Sequence, residues 1–219
     1  MKRSFIETAD GSKSLYVHEM GETYHSKFGA LQEANFVFIK NGLDLYKNQS
    51  VSILEIGLGT GLNAFVTLCK APELDLQIKY TGVEAYPLTS DEFSQLNYPE
   101  IANRIDLKAD FDKLNIADWE KEVRINDFFT LTKNKMFFNE IDFEDNFDLI
   151  YFDAFGYQYQ PELWSVEIFE KMYKALKKDG VLVTYACRSV IKNNMKSVGF
   201  ITEKLPGPPG KREMLRCKK

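Results

Sequence analysis

The chain has 219 residues, 44% hydrophobic and 27% charged, which is ordinary for a globular protein and enough for one α/β domain. Its formal net charge of −4 means that contact with nucleic acid would need a local basic surface. There is no apolar run long enough to span a membrane, and the N-terminus lacks the apolar stretch of a secretory signal. Three scattered cysteines and two histidines disfavour a disulfide framework or a zinc site. We therefore expect a cytoplasmic protein without a metal.

The N-terminal part does not look like a nucleotide-binding unit. We predict that residues 1–45 form an extension packed on a core domain of residues 46–219, with both belonging to one structural domain. Residues 14–19 are predicted to form a strand. Residues 30–38 carry apolar side chains at helical spacing, and Gly42 is well placed to end that helix.

From residue 51 onward, short apolar runs alternate with amphipathic segments. The pattern predicts strands at 51–56, 78–84, 147–152, 181–186, 200–204 and 212–217, and helices at 62–70, 91–96, 164–176 and 190–198. Ser90 or Asp91 is the expected cap of the second helix, and Lys177 with Gly180 indicates the end of the third. Residues 103–146 fit a helix and a hairpin in several arrangements.

Helices between buried strands indicate a doubly wound, mostly parallel sheet. The last two predicted strands are joined by the five-residue segment 206–210, which is too short for a crossover helix. The final strand is therefore predicted to be antiparallel.

The strongest local signal is the loop after the first buried strand, Glu55-Ile-Gly57-Leu-Gly59-Thr-Gly61-Leu-Asn63. Dinucleotide enzymes use G-x-G-x-x-G to face a pyrophosphate, whereas this loop has G-x-G-x-G preceded by an acid. The pattern suits a nucleoside ligand without phosphate that carries a cationic amino-acid end. Glu55 is the predicted partner of that cation, and Gly57 and Gly59 leave space for the nucleoside. A purely structural glycine turn is the alternative.

A second acid follows the next strand, which ends in Gly82-Val-Glu84. An acid at this place hydrogen-bonds ribose hydroxyls in nucleotide-binding folds, about 20 residues after the glycine loop. The interval from Gly61 to Glu84 is close to that. Two features at the expected separation carry more weight than either alone.

Several further landmarks recur along the chain. They are Tyr24-His25-Ser26 with Glu33 downstream, GLGTGLN at 57–63, Glu84-Ala-Tyr86-Pro87-Leu88, Phe152-Asp153-Ala-Phe155, Pro161-Glu-Leu-Trp164 and Gly210-Lys211-Arg212-Glu213-Met214-Leu215. On these residues the chain resembles the methyltransferase half of the bifunctional tRNA 5-methylaminomethyl-2-thiouridine biosynthesis protein MnmC, and more closely its standalone MnmD relatives. The joint occurrence of DAF, PELW and GKREML is specific, whereas the glycine loop alone is not.

The resemblance implies the Rossmann-like fold of S-adenosylmethionine (SAM)-dependent methyltransferases, with a mostly parallel seven-stranded sheet and an antiparallel final strand. It also implies methyl transfer from SAM to the primary amine of 5-aminomethyl-(2-thio)uridine at the tRNA wobble position, in the anticodon loop. The implied cofactor site consists of Glu55, Gly57, Gly59, Gly61, Asn63 and Glu84. Asp153 would be the acid beside the accepting amine. Because the flavin-dependent half of MnmC has no counterpart here, we expect a separate enzyme to supply the aminomethyl precursor.

One family feature is missing from the sequence. Many methyltransferases carry an acid before the fourth strand that binds the adenine amino group, but residues 133–139 contain none. Asn134 and Asn139 are the candidates to replace it.

Asp153 is predicted to capture and aim the amine and to stabilise positive charge on nitrogen. A simple deprotonating role is disfavoured, because an alkylamine with a pKa of about 10.4 is almost fully protonated near pH 7. A strand-end acid that caps a turn is the alternative.

The neighbours of Asp153 are candidates for substrate contacts. Phe155 and Tyr157 could stack on a flipped base or belong to the core, as could Tyr159, whereas Trp164 is expected in the core. The C-terminal third is locally basic, and Arg188, Lys211 and Arg212 are candidate substrate contacts there. The loop carrying Tyr24 and His25 could close over the cofactor, and His25 is given no catalytic role.

Three other functions are compatible with these patterns. One is methylation of a small amine or metabolite, which the acidic net charge favours. Another is aminopropyl transfer of the spermidine-synthase type, which would require several acids for a polyamine. The third is a binding module without catalysis, which the intact loop and both acids disfavour.

Overall fold

A computed structural model describes all residues, 1–219, and contains two β-sheets. The smaller sheet is N-terminal and antiparallel, with strands β1 (Arg3–Glu7), β2 (Lys13–Val17) and β3 (Glu22–Thr23) in that order. The strand predicted at 14–19 is β2, which ends earlier than expected. The chain turns there because Gly21 adopts the left-handed backbone that glycine tolerates, with φ +67°.

The larger sheet has eight strands. They are β4 (Gln49–Ile56), β5 (Leu76–Val83), β6 (Glu122–Arg124), β7 (Phe129–Asn134), β8 (Phe147–Phe152), β9 (Leu176–Thr184), β10 (Ile201–Pro206) and β11 (Glu213–Lys218). Their order is β10-β11-β9-β8-β4-β5-β7-β6. The central neighbours are parallel, and β11 runs antiparallel to both β9 and β10. This confirms the predicted mostly parallel sheet with an antiparallel final strand. The sheet has eight strands where seven were expected, and the short edge strand β6 is the additional one.

Helices connect the strands on both faces of this sheet. They are α1 (Ala30–Ala34), α2 (Leu62–Lys70), α3 (Ser90–Ser94), α4 (Tyr98–Ile101), α5 (Lys108–Ile116), α6 (Val166–Ala175) and α7 (Ser189–Ser197). Residues 35–40 continue α1 as a π-helical segment, and short 3₁₀ turns lie at Leu43–Leu45, Ala71–Leu74, Ile105–Leu107, Phe138–Glu140 and Pro161–Trp164. Residues 103–146, for which the sequence allowed several arrangements, contain α5 and the antiparallel β6–β7 pair. None of the helices combines the length and apolarity that crossing a membrane demands.

Two predicted helix ends are wrong. Thr89, not Ser90 or Asp91, caps α3, because its hydroxyl accepts from the backbone N–H of Glu92 while the Glu92 carboxylate accepts from the Thr89 N–H. Helix α6 ends at Ala175, before the cations and glycine that were expected to end it.

The early end of α6 has a tertiary cause. Leu176 is fully buried and pairs with Phe147 of β8. Strand β9 has therefore already begun when the chain reaches Lys177 and Gly180, the residues expected to end the helix. Gly180 is not in a helix cap, and the left-handed residue of this segment is Asp179, with φ +65°.

The core lies on both faces of the large sheet. On one face, α1, the π-helical segment and α2 pack against β4, so Val37 and Phe38 share a buried cluster with Val51 and Ile53. The segment before residue 46 is therefore continuous with the main core, and the predicted boundary falls in the loop that leads to β4. On the other face, Trp164 is fully buried, which confirms its predicted core position.

Candidate active site

The carboxyl ends of three parallel strands meet at one edge of the large sheet. Ile56 of β4 pairs with Val83 of β5 and with Phe152 of β8. The glycine loop, Glu84 and Asp153 follow these residues directly and therefore lie side by side. A cavity of about 1080 Å³ opens over this edge.

The glycine loop requires glycine for its backbone. Gly57, Gly59 and Gly61 have φ values of +88°, +49° and +73°. A Cβ atom on Gly57 would lie 2.7 Å from the Asp153 carbonyl oxygen, and one on Gly59 would lie 3.1 Å from the Tyr24 ring. Glycine is thus required at Gly57 and Gly59 both by the left-handed backbone and by the close approach of Asp153 and Tyr24. Gly57 and Gly59 line the cavity, whereas Gly61 is the residue before α2 and does not.

Glu84 supports the loop from the end of β5. One carboxylate oxygen accepts the Gly59 backbone N–H at 2.9 Å, and the other accepts the Tyr86 N–H at 2.8 Å. Glu84 is half-buried and lines the cavity. A carboxylate has about four acceptor positions, so Glu84 retains capacity for the hydroxyls of a ribose.

A chain of hydrogen bonds joins Glu55 to the cavity. The Asn63 amide nitrogen donates to Glu55 Oε1 at 2.9 Å and to Asp153 Oδ2 at 2.8 Å, and the Tyr80 hydroxyl donates to Glu55 Oε2 at 2.9 Å. Glu55 is fully buried and does not line the cavity, so its contact with the site passes through Asn63. Burial raises the pKa of Glu55 well above its ordinary value, which favours the neutral carboxyl.

Asp153 lies at the end of β8 and lines the cavity. Burial raises the pKa of its carboxyl to about 7, although the hydrogen bond from Asn63 acts in the opposite direction and lowers this pKa. The negative charge of Glu33 also raises this pKa, and the positive charge of Lys211 lowers it. The carboxyl therefore changes its protonation state near neutral pH, as acid–base groups in enzymes do.

The N-terminal segment forms one wall of the cavity. His25 makes hydrogen bonds to Ser14 Oγ at 2.9 Å and to Thr60 Oγ1 at 3.2 Å, which ties the small sheet to the glycine loop. Burial lowers the pKa of His25 to about 4, so the imidazole is neutral at pH 7. The ring of Tyr24 stands over Gly59 and meets Phe155 edge-on, with 5.1 Å between ring centres.

Phe155 and Tyr157, two of the predicted substrate contacts near Asp153, line the cavity. Trp164 Nε1 donates to the Phe155 carbonyl at 2.8 Å, which fixes the turn after Asp153. The guanidinium of Arg188 lies 5.7 Å from the centre of the Tyr157 ring, and both side chains face the opening. Tyr159 is exposed and is not part of the lining.

Lys211 and Arg212 are adjacent in the chain, but their side chains lie in different environments. The Lys211 ammonium pairs with Glu33 of α1 and lies 3.8 Å from the centre of the Tyr185 ring, inside the cavity. Arg212 is exposed at the rim and forms no salt bridge. The site role of Glu33 escaped the sequence analysis, because its partner lies 178 residues away in the chain.

The opposite end of the cavity is lined by residues 137–140 together with Ala85 and Tyr86. Of the two asparagines predicted there, Asn139 is exposed to the cavity, whereas Asn134 is buried and absent from the lining. Glu140 is an acid on this wall, and its carboxylate accepts the Phe137 backbone N–H at 2.6 Å. Glu140 lies directly after the stretch 133–139 in which the family acid was expected, so the sequence pattern does not identify it.

Comparisons with known proteins agree with this geometry. Residues 106–219, just over half of the chain, match the family described as S-adenosyl-L-methionine-dependent methyltransferase. Relatives named tRNA 5-methylaminomethyl-2-thiouridine biosynthesis bifunctional protein MnmC include one from Polaromonas naphthalenivorans, 29% identical over 97% of this chain and 35% of its own length. Another, from Hydrogenovibrio crunogenus, is 26% identical over 88% of this chain and 31% of its own length. The chain thus spans about a third of the length of these relatives.

Two solved structures share the fold. MNMC2 from Aquifex aeolicus superposes with a TM-score of 0.80 at 23% identity, over 99% of this chain and 69% of that one. Spermidine synthase from Thermotoga maritima superposes with a TM-score of 0.56 at 16% identity, over 100% of this chain and 72% of that one. At these identities the likeness concerns the fold alone.

The residues at the glycine loop fit SAM. The side-chain oxygen of Asn63 is buried without a hydrogen-bond partner, and an unpaired buried acceptor is costly unless a ligand donates to it. The ammonium of the methionyl end is such a donor, and Glu84 has free acceptor positions for the ribose. The fold, this loop and the match over more than half of its length together show that the chain belongs to the family of SAM-dependent methyltransferases.

Proposed function

We propose that the chain methylates the primary amine of 5-aminomethyl-(2-thio)uridine at the wobble position of tRNA. The observation that carries the proposal is Asp153, a carboxyl that faces the cavity and is hydrogen-bonded through Asn63 to the cofactor loop. A cationic amine held by Asp153 would lie next to the cofactor. The tRNA-modifying names of the relatives support the same substrate.

The protein's part in this reaction is to hold and deprotonate the amine. When bound, SAM supplies an electrophilic methyl group. The Asp153 carboxylate attracts the ammonium and aims it, and positioning of this kind accounts for much of the rate of a displacement reaction.

The raised pKa of Asp153 adds a role that the sequence analysis disfavoured. Moving a proton from an amine of pKa about 10.4 to a carboxyl of ordinary pKa costs about 9 kcal/mol. With Asp153 at about 7, the cost falls to about 5 kcal/mol. Asp153 is therefore proposed both to capture the amine and to accept its proton.

The rim of the cavity suits a nucleic acid. Phe155 and Tyr157 offer ring faces on which a flipped base can stack, and Arg188 and Arg212 place positive charge at the opening. The lining contains more acidic than basic residues, and the phosphate contacts are therefore assigned to Arg188 and Arg212 alone. We propose that the anticodon loop docks on this rim and that the reaction takes place in the cytoplasm. Because methyl transfer does not create an amine, another activity must supply the aminomethyl group.

The proposal is tested by methylation in vitro. Purified protein is incubated with SAM carrying a labelled methyl group and tRNA containing 5-aminomethyluridine, with tRNA carrying unmodified uridine as the control. Mass spectrometry of the nucleosides should show labelled 5-methylaminomethyluridine in the first sample alone. Labelling of small amines or polyamines, with none on the aminomethylated tRNA, would contradict the proposal.

A further inference from the structure

An aromatic ring is held in solvent at the mouth of the cavity. Phe28 lies in the loop between β3 and α1, lines the opening and is 63% exposed. One exposed apolar side chain is common on protein surfaces and needs no explanation by itself. Phe28 differs from such a residue because the fold fixes both the loop that carries it and the place of its ring.

Hydrogen bonds fix the loop. The Phe28 N–H donates to Ser26 Oγ at 3.2 Å, and the Lys27 carbonyl accepts the Ala9 N–H, from the turn between β1 and β2, at 2.9 Å. The Ser26 N–H donates to the Glu33 carboxylate of α1 at 3.3 Å. The backbone under the ring is therefore attached both to the small sheet and to α1, and its position does not depend on a ligand.

A glycine makes room for the ring. Gly210, in the loop between β10 and β11, has a φ of +84°, and a Cβ atom on it would lie 2.6 Å from Phe28 Cε2. The Phe28 ring thus lies directly against the backbone of the loop that also carries Arg212. Two loops that are distant in sequence together present an immobilised aromatic surface at the opening.

The charges around the ring are close to balanced. Lys27 and Arg212 are exposed cations without a salt bridge, one on each of the two loops. The nearby acids are Asp10 behind Gly29, Glu22 and Glu33 on the cavity wall, and Glu213 after Arg212. Glu33 and Glu213 are neutralised by lysines. The contribution of the ring itself to ligand binding is therefore one of stacking, and Arg212 lies close enough in the chain to contact a phosphate of the same ligand.

The ring is available to a base other than the target. An aminomethyl arm has only one carbon and one nitrogen, so the base that delivers its amine to Asp153 must lie beside Asp153 and Phe155, both half-buried. Phe28 is far more exposed and belongs to the outer rim. Proteins that recognise RNA loops commonly bind unpaired bases by stacking them on aromatic side chains.

Resting on the proposed function, we propose that Phe28 is the stacking surface for an unpaired nucleotide that adjoins the target nucleotide in the anticodon loop, with Arg212 at the phosphate that links the two. The N-terminal segment then serves both ligands. Tyr24 stands over the glycine loop of the cofactor, and Phe28, four residues later, binds the RNA.

Binding of Phe28→Ala to an anticodon stem-loop that contains 5-aminomethyluridine tests this assignment. Loss of one stacked base should weaken binding about tenfold or more, whereas Phe28→Trp should bind like the wild type. The salt dependence of the affinity should keep its slope, because no phosphate contact is removed. SAM affinity should not change. Ile201→Ala is the matched control, since it removes another apolar side chain, 71% exposed on β10 and outside the cavity.

Two results of this experiment would overturn the assignment. One is wild-type affinity of Phe28→Ala for the stem-loop. The other is a loss of affinity together with a smaller salt slope, because the substitution would then act by displacing Arg212 and not by removing a stacked base.

Stem-loops that lack the base directly 5′ or 3′ of the target identify the nucleotide. With one of the two, wild-type protein should bind as weakly as Phe28→Ala binds the complete loop, and Phe28→Ala should lose nothing further. Additive losses with both loops would contradict the stacking site. A wild-type dimer in light scattering that Phe28→Ala abolishes, with RNA affinity intact, would show that a second copy of the chain covers the ring.

These binding measurements do not require turnover. Aminomethylated RNA that binds through Phe28 but is not methylated would contradict the proposed activity alone. Normal methylation, with the same RNA affinity in Phe28→Ala and wild type, would contradict the stacking site alone.

Discussion

Replacement of Asp153 by Asn removes one charge from the site and little else. The asparagine side chain retains an oxygen that can accept the hydrogen bond from Asn63, which is 2.8 Å long in the wild-type protein. The chain of hydrogen bonds from Glu55 to the cavity is therefore preserved, and we expect the folded structure and SAM binding to change little. What is lost is a carboxylate that attracts the ammonium and accepts its proton before the methyl group arrives.

The size of the effect follows from the environment of the carboxyl. Two unit charges about 4 Å apart interact by about 4 kcal/mol at an effective dielectric constant of about 20. Loss of the proton acceptor and of its charge is expected to raise the barrier by about 3 kcal/mol, so turnover falls by roughly a hundredfold, the scale of one general base or one preorganised electrostatic interaction. The loss should appear in kcat, because the proton transfer takes place after the tRNA is bound.

The assay is single-turnover methylation of aminomethylated tRNA, with SAM affinity measured by calorimetry on the same sample. Since the pKa of Asp153 is raised to about 7, wild-type kcat/KM should rise as pH increases through that value, and the variant should show no such limb. A variant that reacts at the wild-type rate would reduce Asp153 to a turn-capping acid. A variant that no longer binds SAM would place Asp153 in the cofactor site.

Three further outcomes are expected. Gly59→Val should abolish SAM binding in calorimetry, because a side chain there meets the Tyr24 ring and strains a left-handed residue; wild-type affinity would mean that the cofactor binds elsewhere. Asp153→Asn should raise the free energy of unfolding by more at pH 8 than at pH 5 in denaturant titrations, since a carboxyl whose pKa is raised by folding from 3.8 to about 7 loses stability progressively between those two values; equal effects at both pH values would refute this. Arg188→Ala with Arg212→Ala should weaken tRNA binding and flatten its salt dependence by about one unit of slope for each phosphate that is no longer neutralised, and an unchanged slope would exclude the rim as the phosphate-binding surface.

The features that could be predicted from sequence are those set by neighbouring residues. A buried strand that stops in glycines identifies β4 and its loop, and the acid at the end of the next strand identifies Glu84. Helix α2 follows from the same local pattern and has the predicted bounds, Leu62–Lys70.

The features that could not be predicted depend on distant partners. Helix α6 ends early because Leu176 is recruited into the sheet beside Phe147, although local signals place the end later. The burial of Glu55 behind Asn63 depends on Tyr80 of the neighbouring strand. The pairing of Glu33 with Lys211 leaves no trace in local periodicity, because the fold alone brings these residues together.

The most direct test of the proposed activity is the wobble-nucleoside profile of a strain that lacks this gene. Mass spectrometry of its tRNA should show loss of 5-methylaminomethyl-(2-thio)uridine and accumulation of the 5-aminomethyl precursor. The wild-type gene should restore the methylated nucleoside, and a gene encoding Asp153→Asn should restore it poorly. An unchanged level of the methylated nucleoside in the deletion strain, with no accumulated precursor, would contradict the assignment of tRNA as the substrate.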